Sequence, residues 1–72
     1  MSKNIYNYNK LQARMVEKGY TQKTLAKELK KNEGTISAKF NNESDFKTSE
    51  MCSICEILEI PLQDIGTYFF TT

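Results

Sequence analysis

Apolar residues fall three and four positions apart through most of the chain, the period of helices with one buried side. Leu11 and Met15 stand four apart with Val16 beside them, and Gly19 supplies a stop, so a first helix is expected over 9–18. Thr21 is a good N-cap for a second helix, whose apolar face is Leu25, Ala26 and Leu29 and which Lys30 and Lys31 end. Asn32 caps a third, with Ile36 and Phe40 on one side and Asn41 and Asn42 at its close. The polar stretch 43–47 reads as a loop. Thr48 or Ser49 caps a fourth helix with the cleanest stripe, Met51, Ile54, Cys55 and Leu58 at i, i+3, i+4 and i+7. Pro61 suits the first turn of a short fifth helix that reaches about Ile65 and ends at Gly66. The tail then carries Tyr68, Phe69 and Phe70, expected to pack mainly into the core. No segment alternates with period two, so the expected fold class is all-α, with five helices. Residues 1–7 are expected to form a flexible arm and 8–72 a single domain.

Length sharpens this picture. Seventy-two residues give one small core, and a chain of this size buries only about 60% of its unfolded surface. No apolar run approaches the roughly 20 residues that cross a bilayer, and the first ten residues lack the apolar stretch of a signal peptide, so a cytoplasmic location is expected, with no membrane partner.

Net charge is +1, but it is unevenly spread. Residues 1–39 hold nine Lys or Arg against three acids, giving +6, and residues 40–72 hold one base against six acids, giving −5. Such a split suits an anionic partner for one face and a basic partner for another, although charged runs on small domains also serve as ordinary solvated surface.

Candidate chemistry is sparse. Cys52 and Cys55 form C-x-x-C, but zinc needs four ligands and the chain has no His and no further Cys. Cys55 lies in the apolar stripe of the fourth helix and reads as a core residue. There is no Gly-rich phosphate loop, no acid cluster suited to a metal, and no Ser or Cys with a base to activate it. The expectation is a binding protein rather than an enzyme, with no cofactor and no small-molecule substrate.

The run Thr21-Gln22-Lys23-Thr24-Leu25-Ala26-Lys27-Glu28-Leu29, a three-residue turn and then Thr35-Ile36-Ser37 resemble the Cro and repressor (XRE-type) class of helix-turn-helix proteins. The stretches Lys39-Phe40-Asn41-Asn42 and Ile57-Leu58-Glu59-Ile60-Pro61 resemble the variant common in temperate phages of Gram-positive bacteria. The likeness covers about residues 8–65. It implies a lambda-repressor-like DNA-binding fold, a role in transcription regulation at the switch between lysogeny and lysis, and a third helix exposed for recognition. On the physics of the pattern, Ala26 leaves room for Ile36, and Gln22 sits at a helix N-terminus, where amide groups hold phosphate. Lys10, Arg14 and Lys18 on the first helix, and Lys23, Lys27 and Lys30 on the second, form basic stripes that fit a phosphate backbone or simply keep the chain soluble.

The chain also departs from that class. Positions that read base edges in the family hold Glu33, Gly34 and Ala38, none of them Arg, Lys, Asn or Gln. Lys30 replaces a usual glycine in the turn. Two readings stay open. In the first, an antirepressor uses Glu33, Gly34, Ser37, Ala38, Asn42, Glu43 and Asp45 to bind the DNA-reading helix-turn-helix domain of a phage repressor, with acids standing in for phosphates. In the second, a dimeric Cro-like repressor binds operator DNA through Gln22, Lys23, Lys27, Asn32, Thr35, Ser37 and Lys39.

Overall fold

The computed structural model describes residues 5–71. Among them are five α-helices: α1 (Asn9–Glu17), α2 (Gln22–Leu29), α3 (Glu33–Phe40), α4 (Thr48–Leu58) and α5 (Ile65–Phe69). A 3-10 turn spans Leu62–Asp64, and no strand occurs among the described residues. The fold is all-helical, as the periodicity predicts. α2 packs mainly on α3 and also on α4, while α5 lies against α1 and α4.

Helix starts follow side-chain chemistry. The Thr21 amide donates to Thr24 Oγ1 at 2.8 Å, and the Thr24 amide donates to Thr21 Oγ1 at 3.2 Å, so two amides that the helix leaves orphaned are satisfied reciprocally. Asn32 Oδ1 accepts from the Gly34 amide at 2.7 Å and opens α3. α4 opens differently from expectation. Neither Thr48 nor Ser49 caps it; Glu50 reaches back instead, accepting the Lys47 amide at 2.8 Å, because the N3 carboxylate faces the orphan donors.

Helices α1 to α4 share one ending. After each comes a residue in the left-handed region: Gly19 (φ 79), Lys30 (φ 58), Asn42 (φ 62) and Glu59 (φ 58). The next amide then donates to the carbonyl five positions earlier: Tyr20 to Met15 at 2.7 Å, Lys31 to Ala26 at 2.9 Å, Glu43 to Ala38 at 2.8 Å and Ile60 to Cys55 at 2.8 Å. This arrangement satisfies carbonyls that would otherwise lack donors. Glycine adopts the left-handed conformation freely, whereas a lysine or glutamate carries a Cβ clash. The turn at Lys30 therefore keeps its form at a steric cost.

The core joins Leu11 and Met15 of α1, Leu25 and Ala26 of α2, Ile36 and Phe40 of α3, and Met51, Ile54, Cys55 and Leu58 of α4. All four members of the predicted α4 stripe are buried. Aromatic rings close one end. Tyr8, Phe40 and Phe46 meet one another edge to face at 5.3–5.7 Å, and Phe46 meets Phe69 at 5.3 Å. Phe46 thus anchors a loop that looks merely polar in sequence.

Two further expectations need correction. Val16 is 76% exposed, because Leu11 and Met15 already fill the inward side of α1. The fifth helix does not stop at Gly66: a 3-10 turn follows Pro61 and α5 continues through Gly66 to Phe69, with the Phe70 amide donating to the Gly66 carbonyl at 3.0 Å. Burial of Phe69 at 1% exposure offsets the roughly 1 kcal/mol that glycine costs inside a helix. In the tail, Phe69 is core, Tyr68 is half-buried and Phe70 is exposed. Of the expected flexible arm, residues 1–4 lie outside the described residues, while Tyr6 and Asn7 are hydrogen-bonded to the domain.

Replacing Lys30 with glycine should raise stability by about 0.5–1 kcal/mol, the relief of the left-handed strain less the added freedom of the unfolded chain. Urea unfolding of K30G beside the parent checks this, and an unchanged or lower midpoint counts against the strain.

Candidate functional site

α3 presents the face that the sequence singles out. Ile36, Lys39 and Phe40 turn inward. Glu33, Gly34 and Thr35 are exposed, and Ser37 and Ala38 are half-buried. A Cβ on Gly34 would lie 3.2 Å from Asn32 Oδ1, so the small residue also protects the cap that starts the helix. Past the end of α3, Glu43 and Asp45 are both exposed.

Lys39 is the main surprise. It is 6% exposed, and its ammonium donates to the Asp45 carbonyl at 2.9 Å and lies 3.4 Å from Glu50 Oε1. Glu50 is itself 5% exposed, and its second oxygen lies 3.5 Å from Lys31 Nζ. Charges so placed persist only when paired and hydrogen-bonded. Burial pushes the Glu50 carboxyl up, but the Lys47 amide and the Lys39 ammonium outweigh it and hold the group below the ordinary carboxylate value of 4.5. The network ties α3 to α4 and to the turn before α3.

Several predicted contacts therefore have other work. Lys39 is sequestered and does not face an outside phosphate. Asn32 spends its side-chain oxygen on the helix cap. Asn42 is half-buried, accepts from the Tyr6 amide at 2.9 Å and donates to the Tyr6 carbonyl at 3.0 Å, so its amide group is committed inside the molecule rather than to a partner. The α1 stripe is also used internally. Arg14 donates to the carbonyls of Leu58 at 3.0 Å and Glu59 at 2.9 Å, where a cation suits the end of α4, and Lys18 pairs with Glu59 at 2.7 Å.

Other predicted residues stay accessible. Gln22 is half-buried at the first position of α2, and Lys23, Lys27 and Lys30 are exposed and take part in no ion pair among the described residues. The sequence reading missed Glu50 and Lys31. The available signal was the position of Glu50, third from the start of α4 and four before Ile54 on the buried stripe, a place where a carboxylate must find partners.

Cys55 is buried, and burial pushes its thiol up, followed in effect by the neighbouring Cys52. Cys52 is exposed, and both line a shallow cleft of about 220 Å³ with Ile60 and Leu62. No cluster of three or more metal-ligating side chains occurs among the described residues. Nor is any described helix long and apolar enough to cross a membrane.

A family model described as a protein of unknown function (DUF739) matches residues 4–72. The chain belongs to that family. No curated protein matches it. In this DUF739 chain, the accessible candidate residues include Glu33 and its small neighbours on α3 and a separate lysine stripe on α2.

Glu50→Gln should cost about 3 kcal/mol, because it leaves the Lys39 ammonium buried without its counter-charge. The carboxyl is held low in the folded state, so its stabilisation is complete above the unfolded value near 4.5 and is lost as pH falls through the lowered folded value. Denaturant unfolding across acid pH should show a steeper loss for the parent than for E50Q, and parallel curves would rule the linkage out.

Proposed function

We propose that the chain is a regulatory binding protein that docks on another protein through the outer side of α3 and the loop after it. It acts as an antirepressor, in a phage switch between lysogeny and lysis. Its partner is the helix-turn-helix domain of the phage repressor, held through the basic surface that would otherwise grip operator DNA. The reading has no catalytic step and needs no cofactor, and it operates in the host cytoplasm.

One observation carries it. The outer side of α3 offers Glu33, Gly34, Thr35, Ser37 and Ala38, while the helix's single cation, Lys39, is buried against Glu50. Base edges are read mainly by Arg, Lys, Asn and Gln, and none of these is among those five residues. An acid beside small side chains suits close approach of a basic helix. The sequence resemblance supports the same partner, since the whole chain also resembles the short modulator-of-repression proteins of lactococcal temperate phages, a group related to Cro.

A second reading draws on α2. Lys23, Lys27 and Lys30 are exposed at i, i+4 and i+7, spacing that suits a phosphate backbone, and operator DNA bound directly by a dimer would use them with Gln22, Thr35 and Ser37.

Calorimetric titration into the repressor's DNA-binding domain at low salt should show association. Glu33→Lys should weaken it about tenfold, the scale of one well-placed charge pair. Operator DNA alone should not be retarded in a gel by micromolar chain. Absence of heat with the repressor domain, together with retarded DNA that K23E/K27E abolishes, would favour the second reading.

A further inference from the structure

The segment before α1 meets the loop after α3 through one side chain. Asn42 Oδ1 accepts the Tyr6 amide at 2.9 Å and Asn42 Nδ2 donates to the Tyr6 carbonyl at 3.0 Å, joining residues 36 apart in sequence. The side-chain amide accepts through its oxygen and donates through its nitrogen, whereas an ionised carboxylate in its place would accept alone. Asn42 is also the left-handed residue that ends α3, at φ 62, a conformation that asparagine tolerates better than most residues. The segment is fastened on its other side too. The Asn7 amide donates to the Thr71 carbonyl at 2.6 Å, and the Tyr6 ring meets Phe70 edge to face at 5.6 Å.

The acidic loop thus has two anchors. Lys39 holds the Asp45 carbonyl from beneath, and Asn42, tied to Tyr6, holds the loop where it leaves α3. Glu43 and Asp45 lie at and between these points.

We propose that residues 5–7 are a strap, fastened by Asn42, which fixes the shape of the loop 42–45 and thereby sets how tightly the α3 face takes its basic partner. Asn42 is a positioning residue, acting through the loop rather than by touching the partner. The partner arm of this inference rests on the antirepressor reading; the strap itself rests on the hydrogen bonds alone.

Three variants separate the contributions. Asn42→Gly keeps the left-handed turn and loses both hydrogen bonds. Asn42→Asp keeps the acceptor for the Tyr6 amide and loses the donor. Asn42→Ala loses both bonds and strains the turn. Amide hydrogen exchange should rise about tenfold at Tyr6 and at 43–46 in N42G, less in N42D and most in N42A, with the amides of α2 and α4 unchanged. Affinity for the repressor's DNA-binding domain should fall about threefold to tenfold in N42G, measured by calorimetry. Unchanged exchange in the loop of N42G overturns the strap, and faster exchange with unchanged affinity overturns its role in binding. If the parent chain does not bind the repressor domain at all, the antirepressor reading falls, and the exchange arm still decides whether the strap exists.

Discussion

A lysine and a glutamate sealed between α3 and α4 organise this small domain. Lys39 and Glu50 are almost wholly removed from water, and each satisfies more than one group: Lys39 the carboxylate and the Asp45 carbonyl, Glu50 two ammonium groups and the Lys47 amide. Two charges moved out of water carry a large desolvation cost, which close pairing and added hydrogen bonds offset only when the geometry is well defined. The pair joins α3 to α4 through one short ammonium–carboxylate contact of 3.4 Å. It also turns the single cation of α3 inward, and that fixes the character of the helix's outer side.

The same economy of polar groups runs through the rest of the molecule. A domain this small has few residues to spare, and several of its polar side chains satisfy backbone groups at helix ends. Asn32 and the Thr21–Thr24 pair open helices, Arg14 closes α4, and Asn42 closes α3 while binding Tyr6. The left-handed residues Lys30 and Glu59 accept steric strain to complete the same endings that glycine completes at α1. Among the residues left outside this internal use are the small and acidic side of α3, Glu43 and Asp45 in the loop after it, and the lysines of α2.

This division bears on recognition. A helix face of glycine, alanine, serine and threonine beside a glutamate allows a close approach but supplies few of the bidentate donors that discriminate base pairs. Across protein interfaces in general, charge complementarity steers encounter and sets orientation. The lysine stripe lies on a different helix, so the two exposed faces differ in charge.

The chain's local chemistry already determined much of this. Helices α1 to α4, their apolar stripes, the caps at Thr21 and Asn32, and the exposure of Glu33 and Gly34 are legible because each depends on spacing within a few residues. Tertiary structure decided the rest. Lys39 looks like any surface lysine until α4 brings Glu50 beside it, and Asn42 looks like a turn residue until Tyr6, 36 positions earlier, arrives at its amide. Phe46 lies in a polar stretch whose sequence gives no period, and Phe69 extends α5 past a glycine because a core site for its ring exists only once α1 and α4 are in place. Local periodicity records which side of a helix is apolar. Whether a polar side chain serves the fold or a partner depends on atoms distant in the chain, so only the assembled molecule determines it.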